Sequence, residues 1–213
     1  MTERTRIRRL PNKAVDDRAV LDSILDRALI AHVAIVDGGQ PFALPVGCAR
    51  YGDRLLLHGS IASRLFKTLS AGVPCCASVT LLDGLVMARS AFESSMHYRS
   101  AMILGSCKEL TGAEKERALD VLTEHLLPGR LAELRKSTAK ELKATSVVAL
   151  VLDEYSVKVS AGEPDDLPED LGSPIWAGVV PMTHLWGAPR AAANLAVGIA
   201  PPAYLIDWST GRA

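Results

Sequence analysis

A short apolar run at residues 55–57 leads into His58-Gly59-Ser60-Ile61-Ala62-Ser63-Arg64, and these are residue types that bind anions. Gly59 lets the backbone turn sharply out of a strand. Ser60 is placed to cap the helix predicted by the spacing of Ile61, Leu65, Phe66 and Leu69, and Gly72 is placed to end it. Arg64 is the odd residue. A cation near a helix N-terminus opposes the macrodipole, at a cost on the ~0.3–1 kcal/mol scale. A bound anion reverses that sign, because backbone N–H groups, serine hydroxyls and a guanidinium then converge on it. Ser60, Ser63 and Arg64 therefore read as a phosphate cradle, which Lys67 can join only by reaching back most of a helical turn. The plainer alternative is a capped helix with a solvated arginine.

A second polar group opens a long strand predicted over residues 97–107. Alternation puts Tyr98, Ser100, Met102 and Leu104 on one face and His97, Arg99, Ala101 and Ile103 on the other. Both faces begin polar and become apolar, as expected of a strand that borders a site and then enters a core. His97 is the first candidate for a proton donor, since an imidazole titrates near neutral pH; a solvated strand-end histidine is the alternative. His32 and His58 fall in strands, where a hydrogen-bonded structural role is the plainer reading. The four cysteines, Cys48, Cys75, Cys76 and Cys107, form no C-x-x-C pair and sit in apolar contexts, so buried thiols are expected and no metal site. Neither a Ser-His-Asp pattern nor a Walker motif nor a convincing carboxylate pair is present.

Elements must position these groups. At 213 residues the chain can bury a sizeable core. Lys+Arg and Asp+Glu are both 24, leaving no basic field for nucleic acid or an anionic membrane. Hydrophobic residues make up 48% of the chain, yet no apolar run approaches the ~20 needed to span a bilayer. The basic N-terminus lacks the apolar core of a signal peptide, so a cytoplasmic protein is expected.

Residues 1–14 read as an arm, and a helix is predicted over 16–28. Strands follow at 31–36 and 40–49, joined at Asp37-Gly38-Gly39, and a third at 54–58 after Tyr51-Gly52-Asp53. Pro45 suggests an edge, a bulge or a ligand-facing position. Beyond the cradle helix come strands at 74–82 and 85–89, with Asp83-Gly84 as the turn between them. Thr111 and Glu114 predict a capping box opening a helix to about 127, and a further helical stretch covers 130–137. Strands at 146–153 and 156–160 complete the pattern. The apolar segment 174–181 is expected to pack against something, and no element is placed after Gly187. The expected architecture is mainly β with flanking helices, a split antiparallel β-barrel over residues 15–162. Residues 163–213 form a C-terminal extension packing on the barrel or a partner subunit.

Antiparallel strands, a His-Gly-Ser turn into a helix bearing Ser63-Arg64, and a strand opening with Tyr98-Arg99-Ser100 resemble the pyridoxamine 5'-phosphate oxidase-like superfamily of FMN-binding split barrels. The nitroimidazole-resistance-like flavoproteins are the branch most similar, and Trp176-Ala177-Gly178-Val179-Val180-Pro181 resembles a segment of one of its subgroups. The resemblance covers roughly residues 14–189. It implies a homodimer with FMN at the interface. His58, Ser60, Ser63 and Arg64 would hold the phosphate and ribityl end. Leu44, Pro45, Val46 and Gly47 would pass backbone beside the ring. Tyr98, Arg99 and Ser100 would border the same pocket. Trp176 would either fill the barrel's own core or wall the flavin pocket. The chain departs from many relatives in having Leu65 after Arg64, and Ser160 where an arginine is common. Each departure removes a cation. One arginine, two hydroxyls and two N–H groups still suffice for micromolar binding, near −8 kcal/mol after ordering costs, at ~1.5–3 kcal/mol per charged hydrogen bond. The implied function is an FMN-dependent oxidoreductase for a small electron-poor or aromatic substrate. Alternatives are a non-catalytic cofactor binder and a haem-binding split barrel.

Overall fold

The structure is a computed structural model that describes residues 2–205 and 208. Among the described residues, nine strands form one antiparallel sheet: β1 (Ala14–Val15), β2 (Ile30–Asp37), β3 (Gln40–Tyr51), β4 (Arg54–Ser60), β5 (Pro74–Met87), β6 (Ser95–Glu109), β7 (Thr145–Val151), β8 (Glu154–Ser160) and β9 (Gly178–Pro181). The order is β1-β8-β6-β7-β4-β3-β2-β5-β9, and an additional β5–β6 pairing closes strands 6-7-4-3-2-5 into a ring. Helices α1 (Arg18–Arg27), α2 (Arg64–Ser70), α3 (Gly112–Leu126) and α4 (Ala139–Ala144) flank it. The fold is mainly β with few helices, as the sequence implies.

Turn chemistry explains the meander. Asp37 pairs with Gln40 across Gly38 and Gly39, whose φ of 57° and 80° suit the turn that matches strand twist. The ring's interior holds one core, to which α1 contributes Leu21, Ile24 and Leu25 and α2 contributes Leu65, Phe66 and Leu69. A second cluster lies outside the ring, where Ala118 and Leu122 of α3 cover Ala49, Leu56, Val147 and Ala149. Covered on both faces, β4 carries the unbroken Leu55-Leu56-Leu57 in place of an alternating pattern.

Several local expectations change. Asp83-Gly84 is not a turn: β5 runs straight through it with a bulge, pairing Leu82 with Tyr98 but Gly84 with His97. Glycine is needed there, since a Cβ on Gly84 would sit 2.7 Å from the Val180 carbonyl oxygen of β9. The helix after the cradle starts at Arg64 with Ser63 as N-cap; Ser60 ends β4, and its Oγ accepts from the Ala62 N–H at 3.2 Å. Thr111 makes no side-chain capping bond, and the Glu114 carboxylate accepts from Arg54 at 2.6 Å instead of from the helix N-terminus. The capping box belongs to Thr138 and Glu141, opening α4. Only a single 3-10 turn, Leu131–Glu133, occupies the stretch 130–137. The apolar segment 174–181 ends in β9, the edge strand on β5. The cysteines are free, with Cys48, Cys75 and Cys107 buried; burial pushes the Cys48 thiol up to about 12. Among the described residues no helix is long and apolar enough to cross a membrane.

Candidate functional site

Two strands that begin as partners and then part create the site. β3 and β4 pair from Cys48–Leu57 to Tyr51–Arg54. Beyond that, β4 stays with β7 through Ser60, while β3 stays with β2 back to Gln40. The stretch 40–47 of β3 therefore has a neighbour on one side only, which is where a proline is tolerated, and Pro45 sits there opposite His32. The cleft has Leu44, Pro45 and Gly47 on one lip and His58, Gly59 and Ser60 on the other. Val46 differs, its side chain belonging to the interior core.

Arg64 reaches across this cleft. Its guanidinium carbon lies 4.2 Å from the centre of the Phe42 ring on β3, and its Nε 3.9 Å from Asp37. Ser63 leaves its hydroxyl out of capping, and Ser60 lies just before the turn. Lys67 is exposed one turn along α2. Beneath α3, Gly47 packs against His58 and Leu126: a Cβ built there would meet His58 Cε1 at 3.7 Å and Leu126 Cδ1 at 3.6 Å, ordinary contact distances. His58 Nδ1 is buried without a hydrogen-bond partner. Such an orphan is unusual in a native interior.

Burial pushes the His58 imidazole below its ordinary value. The folded protein thus keeps it neutral where the unfolded chain takes up a proton. Stability is unaffected above the unfolded value, falls as pH drops through it, and levels off below the folded value. Between about pH 7.5 and about pH 5.5 the melting temperature of the wild type should fall more than that of His58→Gln. Equal falls would show that His58 is not desolvated.

The β6 residues are elsewhere. β5 and β2 separate β6 from β3, so Tyr98, Arg99 and Ser100 do not meet the cleft within one chain. Tyr98 and Ser100 lie between Leu82 and Thr80 of β5 and Ser160 and Lys158 of β8. Arg99 is held by Asp83 in a two-point ion pair at 2.9 and 2.6 Å, which keeps the Asp83 carboxyl below its usual range. The bulge puts Asp83 within this reach. His97 is half-buried beside it, opposite Gly84.

Arg99 and Asp83 also line a cavity of about 550 Å³ with Arg27, Leu29, Leu81 and Leu82. Its remaining wall is residues 182–186, the segment after β9. The backbone N–H of Met182 donates to the Asp83 carbonyl at 2.9 Å. Trp186 packs edge-on against Trp208, whose indole N–H donates to the Pro128 carbonyl at 3.1 Å. The extension is thus a strap fixed at β5 and at the end of α3. Sequence reasoning missed this cavity; the signal was His184 and Trp186 standing among apolar residues in a segment left unplaced.

Trp176 is 63% exposed and lies outside the core of its own chain. Its indole folds onto Gly178, where a Cβ would approach to 2.8 Å. Trp176→Phe should therefore shift stability by less than ~0.5 kcal/mol. A melting temperature lowered by several degrees would return this side chain to a packed interior.

The chain is similar to proteins of known family and structure. The family model for pyridoxamine 5'-phosphate oxidase matches residues 17–159. A solved FAD- and haem-binding protein from Mycobacterium smegmatis is 45% identical, with 92% of this chain and 97% of that chain covered and a TM-score of 0.89. The flavocytochrome Anf3 from Azotobacter vinelandii is 37% identical, with 97% and 96% covered and a TM-score of 0.91. A putative 5-nitroimidazole resistance protein from Bacteroides thetaiotaomicron is similar in fold at 23% identity, covering 68% of this chain and 86% of its own with a TM-score of 0.59. No curated protein matches the sequence.

Proposed function

The chain belongs to the pyridoxamine 5'-phosphate oxidase family, and from that membership we propose a flavin-binding protein with its cofactor in the cleft between β3 and β4. The observation that carries the reading is Arg64 spanning the parted strands beside Ser60 and Ser63. The donor set suits a phosphate, and the unpaired backbone of β3 offers groups to the ring's polar edge. A bound flavin supplies electron transfer. The protein's residues fix its phosphate, orient the ring and hold a proton near the substrate. His97 is the proposed donor, acting in the partner subunit's cleft because β6 does not meet the cleft of its own chain, and the substrate class is small and electron-poor or aromatic. The sequence resemblance implies FMN, whereas the relative at 45% identity is named for FAD, so FAD is the first flavin to test.

The same reading calls for a homodimer. Ile30 and Val36 are exposed on the outward face of β2, beside Pro41, Ala43 and Pro45 of β3. A twin covering that face would bring Tyr98 and Ser100 of one subunit toward the cleft of the other. Four unpaired cysteines suit the reducing cytoplasm.

An absorption spectrum of the purified protein tests the proposal. Flavin bands in the blue and near-ultraviolet are expected, with mass analysis of the released cofactor separating FAD from FMN. Neither band, in a protein that also fails to take up added flavin, would overturn it. Light scattering should give twice the chain mass; a monomer at micromolar concentration would remove the shared site.

A second reading adds haem beside the flavin. It is favoured because two relatives, at 45% and 37% identity, are named for that combination: one as FAD- and haem-binding, the other as a flavocytochrome.

A further inference from the structure

The cavity behind the strap has the makings of a cofactor site separate from the cleft. Its volume of about 550 Å³ falls within the ~300–1,000 Å³ of small-molecule pockets. Leu29, Leu81, Leu82 and Leu185 give apolar walls, and Trp186 adds a flat aromatic one. Two arginines face one carboxylate, Asp83, so the lining carries net positive charge. Of the chain's five histidines, His184 alone lines the cavity. His125 Nε2 is within 2.7 Å of the Ala28 carbonyl oxygen, His58 sits under α3, His32 lies on the outward face of β2, and His97 pairs opposite Gly84 on β6 without lining the cavity.

This lining selects the chemistry of its ligand. Among the described residues no three His, Cys, Asp or Glu side chains gather to hold a bare metal ion. A porphyrin brings four nitrogen ligands of its own, needs one axial donor, and is otherwise a flat apolar disc with two carboxylates. One imidazole, leucine and tryptophan walls and two guanidiniums match those three requirements. We propose that the cavity is a haem site in which His184 supplies the axial nitrogen and Arg27 and Arg99 meet the propionates. This rests on the haem reading above.

Two further observations support it. The family match ends at residue 159, so the wall bearing His184 lies outside the family's common body. The relatives named for haem cover 92% and 97% of this chain, against 68% for the nitroimidazole-resistance neighbour. The cavity also adjoins the cleft. Leu29 lines the cavity, while its carbonyl accepts from the Cys48 N–H at 3.2 Å and lies 4.0 Å from the position of a Gly47 Cβ. Groups bound in the two sites would be near neighbours.

The test is a haemin titration of the full chain followed at the Soret band, with flavin binding followed separately by fluorescence quenching. Wild type should give a saturable Soret shift. His184→Ala should weaken haemin about tenfold or more and move the band, with added imidazole restoring it, while flavin affinity is unchanged. The strap is exposed, so this variant should keep the wild-type melting temperature, and Arg27→Gln should lower haemin affinity severalfold. If His184→Ala binds haemin with an unaltered band, or His32→Ala, His58→Ala or His97→Ala loses it instead, the assignment of His184 falls and the haem reading stands. If wild type takes up flavin but shows no saturable Soret shift, the haem reading falls and the proposal with it.

Discussion

Arg64→Ala should weaken flavin binding by roughly ten- to a hundredfold, while Lys67→Ala costs far less. A charged hydrogen bond contributes ~1.5–3 kcal/mol, and Arg64 is the cation that the fold delivers to the cleft. Its side chain is 59% exposed, so water competes for it, but the Phe42 face at 4.2 Å holds it across the gap before any ligand arrives. Less rotamer freedom then remains to be lost on binding. Asp37, 3.9 Å from Nε, works the other way by competing for the guanidinium, which favours the lower part of the range. Lys67 leaves α2 a turn later and has no such partner on β3. Fluorescence quenching titrations of the two variants decide the matter. Greater damage from Lys67→Ala would mean that the anion lies further along the helix than Ser63.

Gly59→Ala should cost stability and flavin affinity together. A Cβ at Gly59 would fall 2.2, 2.6 and 2.9 Å from three carbons of the Phe66 ring. Phe66 is 4% exposed in the interior core between Leu65 and Leu69, so the ring has nowhere to swing. The strain must move α2 or bend β4, and overpacking of this kind costs ~1–3 kcal/mol. In a protein of this size that lowers the melting temperature by about 2–12 °C, at ~2–4 °C per kcal/mol. Because Arg64 opens the helix that must move, its contact with Phe42 is disturbed as well. Gly59→Ala combined with Phe66→Leu should recover part of the lost stability. A single variant that melts at the wild-type temperature would mean the helix yields freely, and Arg64 would then not be held by α2.

Gly59 was legible in the sequence as a glycine after a strand, but for a different reason. A sharp turn was expected there; the structure instead runs β4 on through Ser60 and needs a glycine because an aromatic ring lies against the backbone. Asp83-Gly84 shows the same limit. As a local string it reads as a hairpin turn, yet β5 continues because β6 and β9 hold it on both sides, and the extra residue becomes the bulge that pairs Asp83 with Arg99. Thr111 and Glu114 have the spacing of a capping box, but Arg54, sixty residues away in the chain, outbids the backbone for the carboxylate.

What the sequence determined by itself was the antiparallel meander of β2 to β4 and the family. Alternation, Gly-Gly turns and helix stops act over a few residues, so neighbouring side chains suffice to read them. What only the tertiary structure decided was how far each strand stays paired and which chain segment covers which opening. The parting of β3 from β4 makes the cleft, and it depends on β2 and β7 each holding its own neighbour. The cavity depends on Trp186 reaching Trp208 and the end of α3, so that His184 is carried to residues a hundred positions earlier. Both features come from long-range pairing, where loop closure and burial of distant surfaces set the outcome, and no local pattern records them.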